Sequence, residues 1–169
     1  MANNYSQFSE QLLLSNDPEV LKKQKEWISK ALLRRDEWEA PIDAVAGSDQ
    51  EELFKQYLAA CDVHEPGEVE FWPDFGWNFS SDVADGNYVW LYSEDGFNVD
   101  NLIAFVQAFL KQHYPDRFFT MQWADYCERL RVGEFGGGAL VVTPTMYICK
   151  STHNIVEEAL KTFKAGEST

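Results

Sequence analysis

The sequence is short of basic residues and of cysteine, and both shortages narrow the classes of protein to which it can belong. Only 14 Lys and Arg stand against 28 Asp and Glu, which gives a formal net charge of −14. A chain with this charge repels nucleic acid and anionic membranes. The charge therefore argues against direct nucleic-acid binding and favours a basic protein surface as the partner. The three cysteines form no CxxC and match no zinc spacing, which predicts reduced thiols in a cytoplasmic protein.

Several motifs that mark common activities are missing too. No apolar run approaches the roughly 18 residues of a membrane span, and the opening MANNYSQFSEQ lacks the basic and apolar regions of a secretory signal. There is no GxGxxG, no GxxxxGK[ST] and no HExxH. We therefore predict no membrane contact, no cofactor and no metal site, while the oligomeric state stays open.

The sequence does contain enough apolar material for a folded domain, since 45% of its 169 residues are hydrophobic and 15% are aromatic. Hydrophobic periodicity and turn signals predict the order β-α-α-β-β-β-α-β-β-β-α. The predicted strands are 5–14, 68–72, 77–80, 87–93, 117–126, 138–143 and 146–150, and the predicted helices are 15–35, 48–61, 98–114 and 152–163.

This order predicts an α+β fold, an antiparallel-dominated sheet with helices packed on one face. The strands at 87–93, 117–126 and 138–143 should share that sheet, with the 98–114 helix on its apolar face. We expect one domain over 1–169, with an acidic insert or subdomain at about 36–67.

The negative charge is concentrated between Asp36 and Asp100. That window holds seventeen carboxylates and one base, Lys55, whereas bases slightly outnumber acids over the rest of the chain. One interpretation is a solvated surface that aids solubility. The other is an anionic recognition surface that imitates nucleic-acid phosphates or docks a basic partner. Its candidate residues are Glu65, Glu68, Glu70, Asp74, Asp82, Asp85, Glu94 and Asp95.

A second candidate region is the segment ERLRVGEFGGGALVVTP at 128–144. Phosphate-binding glycines follow a strand and open a helix, whereas the three glycines here precede the strand-like ALVVT. We therefore predict that they shape the backbone, as a strand entry, a bulge or a close approach. The alternative is a ligand site within Cys127–Gly138, formed by Arg129, Arg131, Glu134, Gly136 and Gly137.

Three blocks of the chain carry a resemblance. The segments MANNYSQFSEQLLL, NVDNLIAFVQAFLKQHYPD and YCERLRVGEFGGGALVVT are similar to a group of small uncharacterised proteins of bacterial genomes, phages and plasmids. Members of that group share a MANYY-like start and a GGGA-VVT motif. The resemblance implies a bacterial or mobile-element origin and no particular activity.

These observations lead to two hypotheses of different kinds. The leading one is a non-enzymatic acidic interaction protein, in its most concrete form a phage- or plasmid-borne inhibitor that binds a nucleic-acid-binding protein as a DNA mimic. The alternative is a small-ligand-binding or enzymatic module centred on Cys127–Gly138. The first predicts salt-sensitive protein partners, and the second predicts a pocket beside that segment.

Overall fold

A computed structural model describes residues 4–32, 74–80, 86–129 and 132–166. In chain order the elements are β1 (Asn4–Leu13), α1 (Pro18–Ala31), β2 (Gly76–Phe79), β3 (Tyr88–Ser93), α2 (Val99–His113), β4 (Phe119–Cys127), β5 (Gly136–Val142), β6 (Tyr147–Ser151) and α3 (Thr152–Gly166). The predicted helix at 48–61, the strand at 68–72 and the insert at about 36–67 lie outside the described residues.

The six strands form one sheet in the order β2-β3-β1-β4-β5-β6, and every neighbouring pair is antiparallel. The predicted α+β class is therefore confirmed, as is the prediction that 87–93, 117–126 and 138–143 share a sheet. The first strand lies in the middle of the sheet, with Phe8 opposite Ser93 of β3 and Tyr5 opposite Tyr126 of β4. Strand β1 therefore has β3 and β2 on one side and β4, β5 and β6 on the other.

Capping groups set where the first helix begins. The Asp17 carboxylate accepts hydrogen bonds from the backbone N–H groups of Glu19 and Val20, both at 3.0 Å. Pro18 occupies the first turn, where its missing N–H costs nothing. At the other end of α1, Trp27 packs against α2, with its ring centroid 5.7 Å from that of Phe109.

The core lies between α1, α2 and one face of the sheet. Because side chains alternate along a strand, every second residue of each central strand points into it. The buried strand residues are Phe8, Leu12, Val89, Leu91, Phe119, Met121, Leu140 and Val142. Helix α2 is buried without interruption from Asn101 to Gln107, so it is covered on more than its sheet side.

Within the described residues, no helix is long and apolar enough to cross a membrane.

Candidate functional site: the open face of the sheet

The face of the sheet turned away from α1 and α2 is exposed, and we call it the open face. The strand registers place a consistent set of alternate residues on it. Its members are Tyr5, Gln7, Ser9, Gln11, Leu13, Asn78, Tyr88, Trp90, Tyr92, Thr120, Gln122, Ala124, Tyr126, Ala139, Val141, Ile148 and Lys150. Aromatic, amide and hydroxyl side chains dominate this set, and Lys150 is its single charged member among the described residues. Such a face suits recognition by contact and hydrogen bonding more than ion binding.

Two aromatic rings at the centre of β3 form a fixed stack on the open face. The ring centroids of Trp90 and Tyr92 lie 4.2 Å apart with planes 24° from parallel. Trp90 donates its indole N–H to the Ser9 hydroxyl oxygen at 2.9 Å. Tyr92 lies directly over Gly76 of β2, where any Cβ would overlap its ring. The Trp90 side chain nevertheless stays 40% exposed, so a large aromatic surface is held in place and still reaches solvent.

A second aromatic stack lies at the other end of β1. Tyr5 and Tyr126 stack with centroids 5.1 Å apart, and the Tyr5 hydroxyl donates to the Glu128 carboxylate at 2.7 Å. Tyr5 and Ser9 are four residues apart on one strand, which separates the two stacks by about 13 Å at the ordinary rise of a strand. Gln7 lies between them on the same face. The open face therefore presents two ordered aromatic contacts joined by a polar row.

A shallow depression lies beside the Trp90–Tyr92 stack. It runs between β1 and β3, and Trp90 forms one wall. The residues that line it are Ser9, Glu10, Gln11, Leu13, Tyr88 and Trp90. Its open shape suits a side chain of a larger partner better than a small molecule that must be enclosed.

The acidic residues singled out in the sequence divide into three groups. Glu65, Glu68, Glu70, Asp82 and Asp85 lie outside the described residues. Asp74 has a structural role. Its carboxylate accepts hydrogen bonds from the backbone N–H of Asn98 at 2.6 Å and from the Asn101 side-chain amide at 3.4 Å. It thus supports the start of α2, where a negative charge also interacts favourably with the helix dipole. Glu94 and Asp95 form the third group, and both are exposed.

Glu94 and Asp95 occupy the turn after β3, close in sequence to Tyr92. Two hydrogen bonds attach this turn to the central strand. The Gln7 side-chain amide donates to the Glu94 carbonyl oxygen at 2.9 Å, and the Ser6 backbone N–H donates to the Asp95 carbonyl oxygen at 3.3 Å. The two exposed carboxylates therefore belong to a supported turn next to the aromatic stack.

The three consecutive glycines shape the backbone, as the sequence predicts. They belong to β5, and Gly138 lies opposite Trp123 of β4. A Cβ on Gly138 would overlap the six-membered ring of Trp123, and a Cβ on Gly137 would overlap the Trp123 carbonyl oxygen. Gly137 has φ +148°, a conformation that side chains disfavour. The glycines thus permit a tryptophan to lie against its neighbouring strand.

Two further residues of the alternative ligand site lie in the connection between β4 and β5. Arg129 is exposed just past the end of β4, and Glu134 is half-buried before β5. Arg131 lies outside the described residues. A Cβ on Gly136 would lie nearest to the side chains of Thr152 and Asp125. Shallow depressions that described residues line elsewhere, on α1 and on the open face, do not include this segment.

The described cysteines, Cys127 and Cys149, are both shielded from solvent to some degree. Cys127 is buried at the end of β4, and Cys149 is half-buried in β6. Burial, together with the nearby Asp100 carboxylate, raises the pKa of the Cys149 thiol, which lowers the fraction of reactive thiolate. The His113 ring packs against Phe109 with centroids 4.9 Å apart, and burial lowers its pKa. Among the described residues, no group of three His, Cys, Asp or Glu is placed to hold a metal ion.

Comparison of the chain with protein-family models, with curated proteins and with solved structures gave no match. The function must therefore be argued from the geometry of the molecule itself. The sequence has Tyr88, Trp90 and Tyr92 at alternate positions of a predicted strand, and therefore on one side of it, without identifying that side as the exposed one. The signal was present in their alternation with Val89 and Leu91.

Proposed function

We propose that this chain is a non-enzymatic binding protein that recognises a basic protein surface through the open face of its sheet. The observation that carries the proposal is the exposed Trp90–Tyr92 stack, fixed by the Ser9 hydrogen bond and by its position over Gly76. A large apolar ring held at a solvent-exposed strand centre adds little to the core. Its ordered position reduces the entropy that a partner must overcome on binding.

The composition of the open face supports a protein partner. Tryptophan and tyrosine are the residues that most often dominate binding energy at protein interfaces. Antibody binding loops combine them with serine, glycine and asparagine, since rigid aromatic rings supply contact area while short polar groups adapt their hydrogen bonds. The open face offers a similar combination, with glutamines and Ser9 around its rings. Few charges on it need to be desolvated when a partner binds.

The charges around the open face favour a basic partner. An arginine of a partner could stack on Trp90 or Tyr92, as a guanidinium does on aromatic rings. It would then find the carboxylates of Glu94 and Asp95 at the end of the same strand. The net charge of −14 adds long-range attraction for a positively charged surface. The finer hypothesis of a DNA mimic from a phage or plasmid depends mainly on acids outside the described residues and stays a prediction.

The test compares Trp90→Ala with Phe118→Ala, which removes an exposed aromatic ring from the segment before β4 and leaves the Trp90–Tyr92 stack intact. Proteins captured from a bacterial lysate by the wild-type chain would be eluted with rising salt, identified and purified. Their affinities for the two variants would then be measured by titration calorimetry. We expect Trp90→Ala to weaken binding about thirtyfold or more, as a central aromatic contact of about 2 kcal/mol or more requires. Phe118→Ala should bind like the wild type.

Two outcomes would count against the proposal. Equal affinity of the wild type and Trp90→Ala for every captured basic protein would remove the open face as the recognition surface. Loss of binding in Arg129→Ala, with Trp90→Ala unaffected, would instead favour the segment Cys127–Gly138. Circular dichroism of each variant checks that the sheet is intact, which is expected because all three side chains are exposed.

A further inference from the structure

The same short pattern, a tyrosine followed two residues later by a glutamate, stands at the ends of two strands that flank β1. The chain reads YSE at 92–94, where β3 ends, and YCE at 126–128, where β4 ends. In both places the middle residue, Ser93 or Cys127, is buried, the tyrosine is a half-buried member of the open face, and the glutamate is exposed. We call each tyrosine with its glutamate a ring–carboxylate pair.

Backbone contacts with β1 fix the position of the first pair. Ser6 donates its backbone N–H to the Asp95 carbonyl oxygen at 3.3 Å, which continues the register of β1 and β3 by two residues past the end of β3. Glu94 consequently lies opposite Gln7, whose side-chain amide donates to the Glu94 carbonyl oxygen at 2.9 Å. The Cα of Glu94 is then about 7 Å from that of Tyr92, in the same row and at the border of the open face.

A hydrogen bond to the neighbouring ring orients the carboxylate of the second pair. Tyr5 stacks on Tyr126 and donates its hydroxyl to the Glu128 carboxylate at 2.7 Å. Because this donor is neutral, the bond fixes the carboxylate and leaves its negative charge in place. A flat ring beside a carboxylate suits a guanidinium, which stacks on the ring and donates two parallel N–H groups to the acid. Both pairs therefore suit the same chemical group.

The strand register sets the distance between the two pairs. Tyr92 lies opposite Ser9, and Tyr126 lies opposite Tyr5. The two tyrosines are therefore offset by four residues along β1, about 13 Å, and by two strand spacings across it, about 10 Å, which places them about 16 Å apart. An extended segment covers about 13 Å in four residues, and its side chains four residues apart point to the same side. Two long side chains that spread outward cover the remaining distance.

We infer that the open face binds an extended basic segment of its partner that carries two arginines about four residues apart, one on each ring–carboxylate pair. This inference rests on the proposed function, because the segment belongs to the basic partner proposed above. Once the first arginine is bound, the second contact forms within the complex, so the two together bind more tightly than either alone. Lysine binds less well, because a compact ammonium neither stacks on the ring nor matches the carboxylate through two N–H groups.

Synthetic peptides of one length, built on glycine and serine, test the spacing by NMR titration of the wild-type chain. One peptide carries two arginines four residues apart, the second carries them side by side, and the third carries two lysines four residues apart. The Trp90 indole N–H and the Tyr126 backbone N–H report on the two pairs separately. The first peptide should shift both signals with one common Kd. The second should bind at least about fivefold more weakly, and the third at least about threefold more weakly.

Charge removal at each pair tests the assignment from the side of the chain. Glu94→Gln and Glu128→Gln each remove one negative charge and keep a side-chain oxygen that accepts hydrogen bonds. Each variant should bind the peptide with arginines four residues apart about fivefold more weakly than the wild type does. The control is Glu26→Gln, which removes the same charge at an exposed position of α1, away from the open face, and should bind this peptide like the wild type.

Several results would overturn the inference. They are equal affinity for the two arginine peptides, equal affinity for the arginine and lysine peptides of the same spacing, a shift at only one of the two signals, or no shift with millimolar peptide. Equal losses in Glu94→Gln, Glu128→Gln and Glu26→Gln would also overturn it, because they would show only a general effect of net charge. These results leave the proposed function standing, which fails separately if Trp90→Ala does not change the affinity for the captured basic proteins.

Discussion

Alanine at Gly138 should destabilise the fold because of one identified neighbour, the Trp123 indole. A Cβ at Gly138 would overlap the six-membered ring of Trp123 and lie 2.7 Å from the Lys150 carbonyl oxygen. Overpacking of this kind costs about 1–3 kcal/mol. In a chain of this length that corresponds to a fall in melting temperature of roughly 2–12 °C. Denaturant unfolding followed by circular dichroism would measure the loss.

A double-mutant cycle distinguishes this cause from a general intolerance of the strand. Trp123→Leu removes the ring and should itself cost about 1–3 kcal/mol. Combined with Gly138→Ala, the total loss should fall short of the sum by about 1–2 kcal/mol, since the second change makes room for the first. The recovery of stability should be partial, because the Lys150 carbonyl oxygen would remain close to the Cβ added at position 138.

Gly137 differs from Gly138 in the atom that an added Cβ would meet, although both belong to the same run of three glycines. There the added Cβ would overlap the backbone oxygen of Trp123, and φ is +148°. Gly137→Ala should therefore cost about 2–4 kcal/mol, and Trp123→Leu should not relieve it. Gly96→Ala is the control, because a Cβ there meets nothing within 4 Å. Equal rescue of both glycine variants by Trp123→Leu, or a neutral Gly138→Ala, would refute the packing explanation.

Three further predictions follow from individual side chains. Asp17→Ala should lower stability by about 0.5–2 kcal/mol in urea unfolding, since it removes the cap of α1. Burial holds the pKa of His113 below its unfolded value of about 6.5. The unfolded chain therefore binds a proton at His113 more readily than the folded chain does, and the free energy of unfolding should fall as the pH drops below about 6.5. His113→Gln should flatten that part of the pH profile. Iodoacetamide should label Cys149 more slowly in the native chain than in urea, and Asp100→Asn should speed native labelling, as mass spectrometry can follow.

Much of the fold was predictable because its local signals agree with its packing. The predicted helix at 98–114 corresponds to Val99–His113, and the predicted strand at 87–93 to Tyr88–Ser93. Alternation in strands and a broad apolar stripe in α2 carry this information in the sequence itself. The central place of β1 was not predictable, because strand order depends on contacts between residues more than a hundred positions apart, such as Ser6 and Asp125.

The candidate site was harder to predict because both sides of β3 are apolar. Val89 and Leu91 alternate with Tyr88, Trp90 and Tyr92, so periodicity identifies two sides and does not say which one faces the core. That choice is made by the hydrophobic core, in which Val89 and Leu91 join buried residues of α1 and α2. Ile155, Val156 and Leu160 of α3 likewise form an apolar stripe that periodicity alone predicts to be buried, yet each is more than half exposed.

The carboxylates of the chain show why a charge count alone cannot locate a binding surface. Asp74 supports the start of α2, and Asp125 accepts hydrogen bonds from Ser6 at 2.6 Å and from the Trp123 indole at 3.3 Å. These acids hold backbone and side chains in place, so each adds to the net charge whether or not it meets a partner. Glu94 and Asp95 differ because they are exposed beside an ordered aromatic stack. A carboxylate gains most in recognition where a rigid apolar contact can fix the partner next to it, and that combination occurs at the end of β3.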